Sequence, residues 1–353
     1  MLLLLCYFIP SINPFEQSMV GILAYLAPVL VFINLCSFLF WISMRKYWYL
    51  IIPMFALSVT FNIWRGYFAL NFFEKQDFAP AANRFTMMSY NVRLLDLYKW
   101  SGKTDTREKM LRFLQKENTD ILCLQEFYTG NDSIGFDNIN TIKYACNYDY
   151  VEMCDVNVNK RGRWGSVVFS KYPIIASKTF DIDVKGSNRL QQLNLKINQD
   201  TISLFNIHLK SNRFTVKESA LVAKKELPHW DDTTISRTRT IYDKILNNTI
   251  SRGLEAELVS NIIAQNKHTT IVCGDLNDIA SSYVYFKMKH KLKDAFLEKG
   301  RGVGATFGGA IPLLRIDYLF YKPTLKLLGF ETKHIDYSDH FPLKANFELR
   351  EKP

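Results

Sequence analysis

The chain has 353 residues, 48% of them hydrophobic, and is long enough to form one large domain or two ordinary ones. Its net charge of +10 favours polyanions, anionic lipid headgroups or phosphorylated substrates as partners, without selecting one of them. The six cysteines include no CxxC pair, which argues against a zinc site and against a thioredoxin-type redox site.

Residues 1–66 are predicted to form a membrane anchor. Residues 1–9 are an apolar stub that is too short to cross a bilayer and lacks the basic region and cleavage site of a signal peptide. Residues 19–43 and 47–64 carry no charged side chain, and crossing a hydrocarbon core of about 30 Å takes about 20 such residues. Aromatic residues gather at the ends of both runs, as in interfacial belts. We expect at least two transmembrane helices; the alternative is a buried helical hairpin of a soluble protein.

The short loop between these two runs contains Arg45 and Lys46, and positively charged loops stay on the cytoplasmic side of a membrane. The chain after residue 64 is therefore expected on the outer face, which is the periplasmic side if the protein is bacterial. In that compartment Cys146 and Cys154, eight residues apart, would be able to form a disulfide.

Residues 67–84, which include a polar stretch from Asn71 and a proline at Pro80, are predicted to be a linker. From residue 85 to residue 350, apolar strand-like runs alternate with segments of helical spacing, so we expect an α/β domain. The sequence shows no internal repeat and no low-complexity tract. The predicted order is therefore a membrane anchor, a linker and a domain that carries the function.

Polar side chains follow the apolar runs of this domain, at or just beyond the carboxyl ends of the predicted strands or in the loop before the last one. They are Asn91, Glu126, His208, Asp275, Asn277, Asp317 and His340. Each has a local alternative, such as a turn residue or an acid in the first turn of a helix. Ligands of α/β proteins usually bind at this edge of a sheet, however. Carboxylates, amides and histidines gathered there are suited to metal-assisted phosphoryl chemistry.

Six short motifs around these residues resemble the endonuclease/exonuclease/phosphatase superfamily, which includes deoxyribonuclease I, abasic-site endonucleases, bacterial sphingomyelinases and inositol-polyphosphate phosphatases. The motifs occur in the order of that family and extend over about residues 85–349. They are Ser89-Tyr90-Asn91-Val92-Arg93, Leu122-Cys123-Leu124-Gln125-Glu126, Asn206-Ile207-His208-Leu209, Gly274-Asp275-Leu276-Asn277, Arg315-Ile316-Asp317-Tyr318 and Ser338-Asp339-His340. The resemblance implies a four-layer α/β/β/α sandwich, in which helices cover two packed mixed sheets.

The resemblance also implies roles for individual residues. Glu126 resembles the main Mg²⁺ ligand of the family, with Asn91 close by and Asp339 completing the metal shell; Mn²⁺ and Ca²⁺ are the alternative ions. His340 resembles the base that deprotonates the attacking water. Asp317 would hold the second ring nitrogen of that histidine and fix its tautomer.

Asp275 and Asn277 would position the attacking water and bind the phosphate, since residues two apart in extended backbone point the same way. His208 resembles a second histidine of the deoxyribonuclease I and sphingomyelinase branches, which contacts the phosphate and helps the leaving group to depart. Arg93 stands where the deoxyribonuclease branch also has an arginine, and its guanidinium is a candidate phosphate clamp. The alternative for Arg93 is an ordinary exposed arginine.

The predicted function is that of a membrane-anchored, Mg²⁺-dependent phosphoesterase that uses in-line attack by water. A nuclease, a phospholipid or sphingolipid phosphodiesterase and a phosphatase all fit the predicted residues. The bilayer and a phosphate ester are the expected partners, and the sequence indicates no protein partner. The alternative of a different kind is a catalytically inactive, membrane-bound binding module of the same fold.

Overall fold

Two mixed six-stranded sheets form the centre of the structure, a computed structural model that describes residues 2–130, 136–183, 188–212, 218, 232–309 and 313–350. The strands are β1 (Phe68–Leu70), β2 (Arg84–Asn91), β3 (Ile121–Gly130), β4 (Tyr150–Asn159), β5 (Gly162–Ser170), β6 (Ile174–Asp181), β7 (Arg189–Ile197), β8 (Asp200–His208), β9 (Thr269–Asp275), β10 (Lys293–Asp294), β11 (Arg301–Val303), β12 (Asp317–Tyr321), β13 (Leu325–Thr332) and β14 (Leu343–Leu349). Sheet I has the order β13-β14-β2-β3-β5-β4, sheet II has the order β10-β12-β9-β8-β7-β6, and β1 pairs with β11.

The two sheets pack face to face because their central strands are apolar on both sides. In β3, Ile121 and Cys123 belong to the core between the sheets, while Leu122 and Leu124 belong to the core on the outer side. Successive residues of a strand face opposite sides, so a run that is apolar throughout has to be covered on both. Helices provide the outer cover, and the four-layer α/β/β/α sandwich expected from the sequence is confirmed.

The helices form these outer layers and the N-terminal region. Their bounds are α1 (Leu2–Leu5), α2 (Met19–Ser43), α3 (Ile51–Val59), α4 (Phe61–Arg65), α5 (Thr106–Glu117), α6 (Asn138–Ala145), α7 (Asp232–Ala264), α8 (Tyr283–Lys289) and α9 (Ala295–Lys299). Helices α5 and α6 pack on the outer face of sheet I, and α7 and α8 pack on that of sheet II. Asp137 caps α6 and Ser282 caps α8, each accepting a hydrogen bond from a backbone amide of the first turn.

Parallel pairing brings the ends of four strands to one edge of the sandwich. In sheet I, β2 is parallel to β3, which places Asn91 at the end of β2 near Glu126 in β3. In sheet II, β8 is parallel to β9, and their last residues, His208 and Asp275, are direct neighbours in register. Asp317 begins the antiparallel strand β12 and lies opposite Asp275. The strand order itself therefore gathers residues that are far apart in the sequence.

Helix α2 coincides with the first predicted span and, within the described part of the chain, is the helix long and apolar enough to cross a membrane. The second predicted span, residues 47–64, is divided into a 3₁₀ turn (Tyr47–Leu50), α3 and α4. The break lies at Thr60, whose hydroxyl donates to the carbonyl oxygen of Ala56 (2.7 Å). The second predicted span is therefore not one continuous helix, and its crossing of a membrane stays a prediction.

The segment predicted to be a linker is part of the folded body. Its residues 68–70 form β1, which pairs with β11. Further along, the backbone amide of Asp77 donates to the carbonyl oxygen of Leu328 in β13 (3.2 Å), and the side chain of Asn71 donates to the carbonyl oxygen of Leu297 in α9 (3.1 Å). Residues 67–84 are therefore tied to the sandwich rather than connecting two independent units.

Cys146 and Cys154 are buried free thiols in different layers, so the disulfide considered from the sequence is not formed. Cys146 follows α6 and packs in the apolar layer outside sheet I, whereas Cys154 lies on β4. Burial raises the pKa of Cys146 to about 11 and also raises the pKa of Cys154, because the thiolate is disfavoured away from water. Both cysteines act as small apolar side chains.

Gly274, which precedes Asp275, has a φ of +131°, and a Cβ there would lie 2.0 Å from the carbonyl oxygen of Ile207. We expect Gly274→Ala to lower the free energy of unfolding by about 3 kcal/mol or more, since backbone conformation and the neighbouring strand both oppose a methyl group. Chemical denaturation of the detergent-solubilised protein measures this loss.

Gly102→Ala is the matched control, because Gly102 also has a positive φ (+69°) but no atom lies within 4 Å of its added Cβ. It is expected to cost about 1 kcal/mol through backbone strain alone. Equal losses in the two variants would contradict a close approach of β8 to β9 at Gly274.

Candidate active site

His340 and Asp317 form a buried pair at the edge where the strand ends meet. The ring nitrogen Nδ1 of His340 lies 2.9 Å from Oδ2 of Asp317. The backbone amide of Asp317 donates to Oγ1 of Thr306 (3.0 Å), which fixes the start of β12, and the ring of Phe307 packs edge-on against His340 with centroids 5.1 Å apart. The other ring nitrogen, Nε2, is 3.7 Å from Oδ2 of Asp275. The pair thus has the geometry of a base held by a carboxylate.

Neighbouring charge decides the protonation of His340. Burial disfavours the imidazolium, but the carboxylates of Asp317 and Asp275 outweigh burial and raise the pKa of His340 to about 10. This folded-state pKa is above the unfolded value of about 6.5. The interaction therefore stabilises the fold fully below pH ~6.5, and its contribution decreases as the pH rises towards about 10.

Asp275 is almost fully buried and is surrounded by hydrogen-bond donors. Nδ2 of Asn91 donates to its Oδ2 (3.0 Å), and the backbone amide of Asn277 donates to its Oδ1 (2.7 Å). The side chain of Asn277 donates to the carbonyl oxygen of Leu209 (3.0 Å), and its φ of 51° is a left-handed conformation that asparagine tolerates. Burial is the main reason that the pKa of Asp275 is raised to about 6. The turn after β9 thus brings Asn91, Asp275 and Asn277 together.

Glu126 enters the site through an irregularity in β3. The pairing of β3 with β5 shifts between Leu124 and Phe127, and Glu126 has a φ of 46°. A bulge of this kind re-aims a side chain. Its carboxylate lies 3.3 Å from Nε2 of His208. Burial alone would raise the pKa of Glu126, but the close contact with His208 outweighs it and lowers that pKa to about 2.

His208 faces the carboxylates of Glu126 and Asp275. Burial lowers the pKa of His208, but contact with Glu126 outweighs burial and raises it overall. Nε2 of His208 is buried and, among the described residues, has no hydrogen-bond partner of good geometry. It is also 3.8 Å from Oδ2 of Asp275. Nε2 of His208 therefore lies between the carboxylates of Glu126 and Asp275.

Arg93 and Asp339 form an ion pair at the rim of the site. Nε of Arg93 is 3.3 Å from Oδ2 of Asp339, and its guanidinium carbon lies 4.9 Å from the ring centroid of Trp100. Arg93 also begins a run of four residues with positive φ that ends at Asp96. A cleft of about 160 Å³ opens here, lined by Arg93, Asp96, Ser101, Lys103, Asp336, Tyr337, Ser338 and Asp339. Asp339, expected from the resemblance to be a metal ligand, is thus engaged by Arg93.

Two groups of side chains offer ligands to a cation. The group expected from the sequence has the carboxylate of Glu126 and the amide oxygen of Asn91, and the low pKa of Glu126 keeps that carboxylate ionised. Oxygen donors of this kind fit Mg²⁺. The second group consists of Asp275, Asp317 and His340, whose ligand atoms lie within 4.8 Å of one another. The donor set therefore fits a divalent cation at this edge.

Sequence reasoning assigned no role to the buried amides beneath the site. Gln125 points between the sheets, where its Nε2 donates to Oδ1 of Asn206 (2.7 Å) and to Oγ of Ser89 (3.1 Å). Asn206 donates in turn to Oε1 of Gln191 (3.2 Å). This network joins sheet I to sheet II directly below the site. This network was indicated in the sequence by polar residues that lie within the otherwise apolar strands of the quoted motifs.

Asp278, directly after Asn277, was also left without a role. The fully buried Arg252 of α7 donates through Nε to Oδ2 of Asp278 (3.1 Å) and through Nη1 to the carbonyl oxygen of Lys210 (3.0 Å). Its Nη2 donates to the hydroxyl of Tyr25 in α2 (3.1 Å). Arg252 therefore ties the N-terminal helix to the loops beyond β8 and β9. No local spacing in the sequence connects these residues.

Comparison with family models gives two matches along the chain. A model described as "Endonuclease/Exonuclease/phosphatase family" matches residues 59–340. A model described as "Domain of unknown function (DUF8431)" matches residues 1–67. No curated protein matches the sequence.

Several solved structures share the fold at low sequence identity. An endonuclease/exonuclease/phosphatase from Bacteroides vulgatus has a TM-score of 0.54 at 17% identity, over 76% of this chain and 99% of that chain. ANGEL2, a 2′,3′-cyclic phosphatase, has a TM-score of 0.54 at 17% identity, over 78% and 99%. The mannosyl-6-phosphatase of Bacteroides thetaiotaomicron VPI-5482 has a TM-score of 0.51 at 15% identity, over 75% and 100%. At these identities the likeness concerns the fold.

Asp317→Asn tests the electrostatic pair. It removes the carboxylate that contributes most to raising the pKa of His340, so we expect that pKa to fall from about 10 to about 9 or below. An NMR titration of the His340 ring measures it. Asp336→Asn is the control, because Asp336 is exposed and pairs with Lys103 at the surface. A pKa of His340 that stays the same in Asp317→Asn would show that the pair does not control protonation.

Arg252→Met leaves Asp278 as an uncompensated buried charge, so we expect a loss of about 3–5 kcal/mol in the free energy of unfolding. The double variant Arg252→Met/Asp278→Leu removes both charges and is expected to recover about half of that loss or more. Lys326→Met, which breaks an exposed pair with Glu348, is expected to cost less than about 1 kcal/mol. Chemical denaturation compares the three variants. A double variant less stable than Arg252→Met would argue against a buried charge pair.

Proposed function

The chain belongs to the endonuclease/exonuclease/phosphatase family, and from that premise we propose that it is a membrane-anchored phosphoesterase that depends on a divalent metal ion. The observation that carries the proposal is the pair of His340 and Asp317. Nε2 of His340 lies 3.7 Å from Asp275, and Glu126 and His208 lie at the same edge of the sandwich. A base held by a carboxylate beside oxygen ligands is suited to the attack of water on a phosphate ester.

In the proposed reaction, Nε2 of His340 accepts a proton from a water molecule as the water attacks phosphorus. Asp317 keeps the proton on Nδ1 and stabilises the imidazolium that forms, in the manner of a hydrolase triad. Asp275 faces Nε2 and accepts a hydrogen bond from the water, which aligns the water with the phosphate. Because proton abstraction requires neutral His340, the rate is expected to rise with pH through the pKa of that histidine.

The remaining residues act on the phosphate. Asn277 and Arg93 bind its non-reacting oxygens, and His208, whose raised pKa favours the protonated form, donates a proton to the leaving oxygen. Mg²⁺ held by Glu126 and Asn91 would neutralise charge on the phosphate oxygens and, by opposing the nearby carboxylates, lower the pKa of His340. Asp339 orients Arg93 through their ion pair.

The N-terminal helices support the proposed membrane anchor. Residues 19–65 form a helical hairpin: α2 leads away from the sandwich, the chain reverses around Arg45 and Lys46, and α3 and α4 lead back. At the tip the ring of Tyr49 stacks on that of Trp41, with centroids 4.6 Å apart. Most exposed side chains along the hairpin are apolar, including Leu26, Val29, Phe32, Ile33, Leu35, Leu39, Phe40, Ile51, Ile52 and Phe55. The basic tip supports a cytoplasmic position for the turn of the hairpin, and with it a catalytic domain on the outer face of the membrane.

The substrate classes can be distinguished by testing soluble substrates and lipid substrates separately. Hydrolysis of DNA or RNA without lipid would identify a nuclease, whereas hydrolysis of sphingomyelin or phosphoinositides in vesicles alone would identify a lipid enzyme. The full chain is required for this comparison, because Arg252 of α7 binds Tyr25 of the hairpin and Arg315 binds the carbonyl oxygen of Gly66.

We expect the full-length protein to hydrolyse at least one of these substrates with Mg²⁺, to lose activity with a chelator and to regain it when Mg²⁺ is restored. His340→Ala and Asp275→Ala are each expected to lower kcat about 100-fold or more. His268→Ala is the control, because His268 is an exposed histidine just before β9. Wild-type rates in His340→Ala would refute its role as the base. Absence of both hydrolysis and Mg²⁺ binding in a calorimetric titration would favour an inactive binding module.

A further inference from the structure

An exposed apolar surface lies on the small two-stranded sheet formed by β1 and β11. Side chains of β1 alternate, so that Phe68 and Leu70 point outward and Leu70 is 77% exposed. The residue opposite Phe68 is Val303, which is also exposed. Phe72 and Phe73 follow directly, and the side chain of Phe73 is fully exposed. We call these five residues the apolar ribbon; a continuous apolar surface of this kind marks an interaction site.

We propose that the apolar ribbon contacts the surface of the bilayer beside the hairpin, so that the catalytic domain rests on the membrane in one orientation. The inference builds on the membrane anchoring proposed above. The ribbon begins at Phe68, shortly after α4 ends at Arg65, and therefore lies where the hairpin returns to the sandwich.

The ribbon is fixed firmly to that end of the hairpin. Nη1 of the fully buried Arg315 donates to the carbonyl oxygen of Gly66 (2.9 Å), and the backbone amide of Gly304 donates to the carbonyl oxygen of Tyr67 (3.3 Å). The hydroxyl of Tyr67 lies 2.6 Å from that of Ser281 in the loop before α8. If the hairpin enters a bilayer, these contacts hold the ribbon at the level where the hairpin leaves it.

The charges around the ribbon suit anionic headgroups. Arg301 is exposed and lies opposite Leu70 in the strand pairing. Arg65 and Lys75, also exposed, lie at the two ends of the segment that carries the ribbon. The acid of the same segment, Glu74, is neutralised by an ion pair with Lys299. Apolar side chains flanked by cations are typical of segments that lie in a membrane interface.

The ribbon also continues into the segment that supports the catalytic base. Beyond Gly304, the hydroxyl of Thr306 accepts hydrogen bonds from the backbone amides at the start of β12, and Phe307 packs on His340. Contact of the ribbon with headgroups would therefore fix the orientation of the catalytic site relative to the membrane.

The proposal is tested with spin labels attached to single cysteines of the full chain. The protein is placed in nanodiscs that contain anionic lipid, with one copy in each disc. Cys36, which lies in α2, is the exposed cysteine and the other five are buried, so Cys36 itself reports on the hairpin. Phe73→Cys and Leu70→Cys, each made in a Cys36→Ser background, report on the ribbon. Tyr144→Cys in the same background is the control, because Tyr144 is exposed on α6 in the layer outside sheet I.

We expect labels at 36, 70 and 73 to collide with dissolved oxygen more often than with a polar nickel complex, and the label at 144 to show the opposite order. Nickel-accessible labels at 70 and 73 together with a lipid-protected label at 36 would overturn the ribbon contact and leave the anchor intact. Nickel-accessible labels at 36, 70 and 73 would overturn both the membrane anchor and the ribbon contact. Because each disc holds one copy, a second copy of the chain cannot protect the ribbon.

Discussion

The carboxylate of Asp275 accepts hydrogen bonds from the side chain of Asn91, at the end of sheet I, and from the backbone of Asn277, beyond the end of sheet II. An ionised group buried without such partners would be strongly unfavourable, so both sheets have to present a donor at the same point. This requirement fixes the alignment of the two sheets at the edge where the site lies. His208 and His340 face the same carboxylate and add positive charge to its surroundings.

Two carboxylates of the site have pKa values pushed in opposite directions by their surroundings. Burial raises the pKa of Asp275 to about 6, whereas His208 overrides burial and lowers the pKa of Glu126 to about 2. Glu126 is therefore ionised near neutral pH, while the pKa of Asp275 is close to the range in which its carboxyl group exchanges a proton. A division of this kind lets neighbouring acids serve different purposes in one site.

The alternation of strand-like and helical runs allowed the α/β class to be predicted, and the resemblance of six motifs to a known family allowed the four-layer sandwich to be predicted. That polar residues gather at one edge of the sheets followed from their positions at strand ends. Asn91, Glu126 and Asp275 each follow an apolar run, and parallel strands bring such ends together. Long-range partners were not predictable in this way. Nothing near Arg252 indicates that it binds Asp278 and Tyr25, since the three residues belong to separate elements. The break of the second apolar run at Thr60 was not predictable from the sequence either, because threonine also occurs in continuous helices.

The contacts between the N-terminal region and the sandwich also determine the order in which the protein can be assembled. Tyr25 and Arg252 are separated by 227 positions, and Gly66 and Arg315 by 249. At a translation rate of about 5–20 residues per second, the hairpin exists for roughly ten to fifty seconds before its partners are synthesised. Its apolar surface has to be accommodated during that interval by something other than the sandwich. If the hairpin anchors the chain in a membrane as proposed, its insertion comes first, and the sandwich folds onto it afterwards.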